Sequence, residues 1–116
     1  MICKKSNFFY LEKHGVSMRL YNDLTDCPHA AVAYQETAAG RAEESYHEKS
    51  AFIYYNIEGS DTWIIEDVEY PVDKDDVVIV PPGKRFYFKG NLKQLCITVP
   101  AWEEQFGHHV RIVTVP

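Results

Sequence analysis

Short runs of strand-forming residues recur along the chain, separated by turn signals at roughly 8–12-residue intervals, the rhythm of a sandwich or barrel. The pattern predicts strands at residues 7–11, 17–21, 30–36, 51–57, 62–65, 69–72, 77–80, 85–88, 94–99 and 110–115. Val77-Val78-Ile79-Val80 is a continuous β-branched run, as expected of a strand buried on both faces. Pro81-Pro82-Gly83 ends it, because proline has no amide hydrogen to give to a ladder. Glu66-Asp67 reads as a tight hairpin turn and Lys89-Gly90-Asn91 as the next turn. Helix signals are poor. Gly40 interrupts the alanines of residues 37–44, and only residues 101–106, after Pro100, suit one helical turn.

Composition adds bounds to this all-β reading. With 116 residues, 46% hydrophobic and 14% aromatic, the chain is expected to fold as a single domain over residues 1–116. No apolar run approaches the roughly 20 residues that span a bilayer, so no membrane partner is expected. The N-terminal residues lack the apolar segment of a signal peptide, which makes cytoplasmic residence the expectation. A net charge of -5 argues against nucleic acid as a partner. Lys84, Arg85, Lys89 and Lys93 interleave with Phe86, Tyr87 and Phe88, which suits a small anion patch or, more simply, a solvated strand edge. Cys3, Cys27 and Cys96 show no Cys-x-x-Cys spacing and read as reduced thiols, with Cys96 buried in an apolar run.

Two blocks carry more specific information. Ser45-Tyr46-His47-Glu48-Lys49-Ser50-Ala51-Phe52, continuing to Gly59, and Asp75-Asp76-Val77-Val78-Ile79-Val80-Pro81-Pro82-Gly83-Lys84-Arg85-Phe86 resemble the two motifs of the cupin family. The resemblance implies a jelly-roll β-barrel, a metal ion in the barrel mouth and a homodimer. It also implies four metal-ligand positions, which fall here on Ser45, His47, Phe52 and Phe86. Only His47 is of ligating type. One imidazole cannot hold a transition metal, so no metal and no cofactor are expected. His14, His29, His108 and His109 lie elsewhere, and adjacent His108 and His109 point to opposite faces of a strand.

Strand parity then gives an expected pocket wall of Ser45, His47, Phe52, Tyr54, Asn56, Phe86 and Phe88. Three functions suit it. An aromatic-walled pocket suits binding of a small apolar or aromatic molecule, the favoured reading. His47 as base and Tyr54 as partner acid suit a metal-independent sugar isomerase or epimerase. The phenylalanines suit a filled barrel with a structural or interaction role, His47 then being a hydrogen-bonded core residue.

Overall fold

The structure, a computed structural model, describes residues 1–115. Among the described residues nine strands form: β1 (Phe9–Lys13), β2 (Val16–Leu20), β3 (Ala31–Thr37), β4 (Glu43–His47), β5 (Ala51–Ile65), β6 (Val68–Val72), β7 (Val77–Val80), β8 (Phe86–Val99) and β9 (Gly107–Ile112). All pairings are antiparallel. One 3-10 turn at Glu104–Phe106 stands where the sequence predicts a helical turn. No helix among the described residues is long and apolar enough to cross a membrane.

The two longest strands make the barrel. The first half of β5 pairs with β7 and with the second half of β8, which continues through β3 and β2 to β1. The second half of β5 pairs with β6 and with the first half of β8, which meets β4 and then β9. One ladder therefore folds over on itself into two facing layers. The fold-over sits at a register shift between Asn56 and Glu58 and at two glycines with positive φ, Gly59 (99°) and Gly90 (134°). A Cβ on Gly59 would collide with the Asn91 carbonyl, and one on Gly90 would lie 2.8 Å from the Ser60 carbonyl oxygen. At both positions only glycine combines that φ with so close a backbone.

These kinks correct the sequence reading at two places. Residues 51–57 and 62–65 are one strand, as are 85–88 and 94–99, because Gly59 and Gly90 bend a strand instead of ending it. The Glu66-Asp67 hairpin is present, with φ of 49° and 67° at its two residues. A further correction concerns β7. Val78 and Val80 are buried, but Val77 and Ile79 are 54% and 60% exposed. The run pairs with β5 alone, and no layer covers its outer face. Finally β4 was not among the predicted strands, since Glu43-Glu44-Ser45-Tyr46-His47 has no apolar alternation to announce it.

Candidate functional site

The inward parity of the seven wall residues holds. Tyr54, Asn56, Phe86, Phe88, Ser45 and His47 are buried, and Phe52 is partly buried against the core. What parity does not give is the space between them. Trp63, from the far half of β5, fills the middle of the barrel. Its ring stacks on Phe86 at 5.8 Å and on Phe88 at 4.6 Å, and Tyr54 lies 4.6 Å away. Phe52 meets Phe86 edge-on at 5.7 Å. These rings touch one another and form the centre of the core. The sequence admits Trp63 as either an interface residue or a core anchor, and the structure buries it in the core.

His47 is held on both sides of its ring. Nδ1 accepts hydrogen bonds from the backbone amides of Ser50 (2.9 Å) and Lys49 (3.2 Å). Two donors to Nδ1 leave the proton on Nε2, which donates to the Glu103 carbonyl at 3.0 Å. The imidazole thus closes the β4–β5 turn and ties it to the segment before the 3-10 turn, with Trp102 and Phe106 packed around it. The Tyr54 hydroxyl shares a hydrogen bond with the Cys96 thiol, and burial raises the phenol well above its usual range. Burial likewise pushes Cys96 up to about 12. Both groups keep their protons at neutral pH. Asn56 spends its amide on the Gly59 carbonyl at 2.7 Å, securing the kink.

A second group of side chains gathers at one mouth of the barrel. The β1–β2 hairpin turns through His14 and Gly15, whose φ values are 52° and 85°, and this presents the His14 ring to Glu43 with Nε2 3.1 Å from Oε2. His109 reaches the same oxygen from β9, with Nδ1 at 2.8 Å. Its neighbour His108 turns away to stack on Tyr46 at 4.9 Å and bond Glu48, so the two histidines do part as strand parity requires. Arg41 binds the other Glu43 oxygen at 2.8 Å and lies with Cζ 5.5 Å from the centre of the Phe86 ring. Its backbone amide is fixed by the Phe88 carbonyl at 2.9 Å. The Thr37 hydroxyl buckles the loop between: it lies 2.9 Å from the Gly15 carbonyl and accepts the Gly40 amide at 2.9 Å.

Charge at this mouth is balanced but incompletely bonded. Burial acts to raise the Glu43 carboxyl, yet the bonds from Arg41 and His109 outweigh it and hold the group below its ordinary value. Arg41 Nε is buried without a hydrogen-bond partner among the described residues. Beside it runs a cleft of about 20 Å³ lined by Lys13, His14, Val16, Met18, Gln35, Arg41 and Phe88. Of the seven residues read from the sequence, Phe88 alone reaches this cleft. Glu43 was legible in principle, since it shares strand parity with Ser45 and His47. Next to it Glu44 is wholly buried and held by Arg111 at 2.9 Å, with its second oxygen unpartnered.

A metal at the four motif positions does not fit this chain. Phenyl rings at 52 and 86 have no lone pair to offer, and both nitrogens of His47 serve the backbone. At the mouth the Glu43 carboxylate is already shared among Arg41, His14 and His109. No group of three or more His, Cys, Asp or Glu side chains placed to hold a metal ion occurs among the described residues.

No protein-family model and no curated protein matches the chain. Solved structures do. Pac13, described as a unique nucleoside dehydratase, superposes with a TM-score of 0.94 at 24% identity, covering 100% of this chain and 98% of that one. A Streptomyces Pac13 variant with uridine superposes with a TM-score of 0.94, also at 24% identity, over 99% of this chain and 97% of that one. KdgF from Halomonas sp. gives 0.75 at 11% identity, over 90% of this chain and 97% of that one. Bacillus subtilis oxalate decarboxylase gives 0.76 at 15% identity, over 90% of this chain and 30% of that one. At such identities the likeness speaks of architecture, and it agrees with the motif framework: the chain has a cupin-like β-barrel fold.

Proposed function

We propose that the chain binds a small, nucleoside-sized molecule at the barrel mouth bounded by His14, Gln35, Arg41 and Phe88. The observation that carries the reading is the buried, unpartnered Nε of Arg41, whose guanidinium carbon lies 5.5 Å from the centre of the Phe86 ring. A buried donor without an acceptor costs about 1–3 kcal/mol, and a ligand carbonyl supplies that acceptor. Phe88, Val16 and Met18 offer a flat apolar surface for a ring, and Lys13, His14 and Gln35 offer polar partners around it. Uridine held by Pac13 makes that nucleoside the first probe. Admission requires the mouth to open, since the present cleft of about 20 Å³ holds little more than one water molecule. Lys13 and Met18, both long and unbranched, are the side chains able to swing aside.

No reaction is assigned to this mouth. The acid–base reading of His47 and Tyr54 demands that His47 give up a backbone bond and that Tyr54 lose a proton burial holds tightly. The filled-barrel reading, with a structural or interaction role, is the second, favoured by the contact of Trp63, Phe86, Phe88 and Tyr54 across the interior. Titration calorimetry with uridine separates the two. Saturable binding that falls at least ~10-fold in Arg41→Lys, which keeps the charge beside Glu43 and removes Nε, supports the mouth site. Absence of heat and of any melting shift at millimolar uridine, or equal binding by the variant, would overturn it.

A further inference from the structure

We propose that the outer face of the β1–β2–β3 sheet carries a further small-molecule site, separate from the mouth, for a neutral sugar, a free mono- or disaccharide. Strand parity sends Val16, Met18 and Gln35 to the inner face and leaves Ser17 and Glu36 on the outer one. Registers then set Glu12, Ser17, Glu36 and Lys93 in one row across β1, β2, β3 and β8. Along this row lies an open groove of about 340 Å³, bounded by Tyr10, Glu12, Ser17, Glu36, Asn91 and Lys93. A volume of that order lies within the range of small-molecule sites. The mouth cleft holds about 20 Å³ and must open, whereas the groove is open as it stands. Its shape is fixed by the Thr37 hydroxyl, which donates to the Gly15 carbonyl at 2.9 Å and ties the β1–β2 turn to β3.

The polarity of the walls selects the ligand class. Ionised Glu12 and Glu36 only accept hydrogen bonds. The Tyr10 phenol donates to one Glu12 oxygen at 3.2 Å and the Tyr34 phenol to one Glu36 oxygen at 2.7 Å. The second oxygen of each carboxylate has no protein partner among the described residues. At the β8 side Lys93 only donates, and its ion pair with Glu58 is loose at 3.6 Å. Asn91 adds an amide with both a donor and an acceptor. From β1 to β8 is three strand spacings, roughly 14 Å in all, so these groups are spread along the groove and do not converge on one point. A phosphate or carboxylate ligand would meet two carboxylates. A compact cation would find those carboxylates two strands apart, with Lys93 beside one of them. A hydroxyl both donates and accepts, so a ring bearing several of them satisfies both walls at once. Tyr10 is 57% exposed and offers its ring to the C–H face of such a sugar.

Amide chemical shifts of the isotope-labelled full chain, followed during titration with D-glucose, D-galactose, D-mannose and maltose to about 50 mM, test this. Saturable shifts are expected with at least one of these sugars, centred on the amides of Ser17, Glu36 and Asn91, with a Kd on the order of 1–10 mM. Tyr10→Leu and Glu36→Gln, both at the surface of the sheet, each weaken that binding at least ~5-fold with unchanged circular dichroism. Sodium phosphate and spermidine are titrated alongside. Shifts that stay linear with every sugar, or a Glu36→Gln variant that binds as the native chain does, would overturn the proposal. So would spermidine or phosphate saturating the same amides more tightly than any sugar, which would make the groove an ion site.

Discussion

The two ends of the barrel interior solve the same problem in opposite ways. At the end marked by the cupin motifs, both ring nitrogens of His47 are satisfied by backbone and the rings of Phe52 and Phe86 meet edge-on. At the other mouth, Arg41, Glu43, His14 and His109 form a charged cluster that leaves one donor without a partner. The lesson is that motif framework and chemical site are separable. The glycines, prolines and strand spacing that build the barrel are present, while the buried polar atoms without partners among the described residues lie on Arg41, Glu44, Asn56 and Asp61, outside the ligand positions.

The comparison breaks first if the closed end is less tightly filled than its contacts imply. Phe86→Ala removes a ring that touches Trp63, Tyr54 and Phe52 and is expected to cost about 3–5 kcal/mol in urea unfolding. A cost below 1 kcal/mol would show the barrel already has room there. Next comes His47→Ala, which strands the amides of Ser50 and Lys49 and the Glu103 carbonyl. A loss of about 2–3 kcal/mol is expected by the same method, with uridine affinity at the distant mouth unchanged. If binding vanished while stability held, His47 would belong to the site.

A smaller effect concerns Asp61, which accepts the Trp63 indole N–H from inside the barrel. Burial raises its carboxyl from the ordinary aspartate value of 3.8 to about 6, opposed by the Trp63 bond and helped by Asp73 and Asp76. A raised acid favours the protonated folded state, so this stabilisation is complete below about 4 and is lost as pH rises through about 6. Asp61→Asn is expected to raise stability at pH 7.5 by about 1–2 kcal/mol, after discounting for residual solvent screening, and to flatten the slope between pH 4 and 6. Thermal melts across that range read it directly. Smallest of all, Arg41→Lys is expected to alter the stability of the unliganded chain by less than about 1 kcal/mol, which keeps its effect on ligand affinity interpretable.

Parity and turn chemistry carried the sequence reading a long way. The cupin resemblance places Ser45, His47, Phe52 and Phe86 at the inner face, a period of two adds Tyr54, Asn56 and Phe88, and hairpin chemistry places Glu66-Asp67. Three physical facts escaped. Gly59 and Gly90 look like strand ends, because a local pattern does not tell a kink from a stop. The apolar run of β7 looks doubly buried, because sequence does not say which strand lies at an edge. Whether inward rings enclose a void or fill it is a matter of volume, decided by Trp63 once β5 bends over at Gly59. Parity alone reaches Glu43, but its partners and those of Glu44 do not show in the sequence: Arg41, Arg111 and two histidines are brought to these buried carboxylates only by folding.

The continuity of β5 and β8 has a consequence for how the molecule comes apart. Each runs uninterrupted through both layers, so neither layer can shed its hydrogen-bond ladder without releasing strands that belong to the other. Melting is then a single cooperative event, and the amides of Tyr54, Trp63, Phe88 and Cys96 exchange with solvent only through that global opening. Bent strands of this kind make two sheets behave as one thermodynamic body.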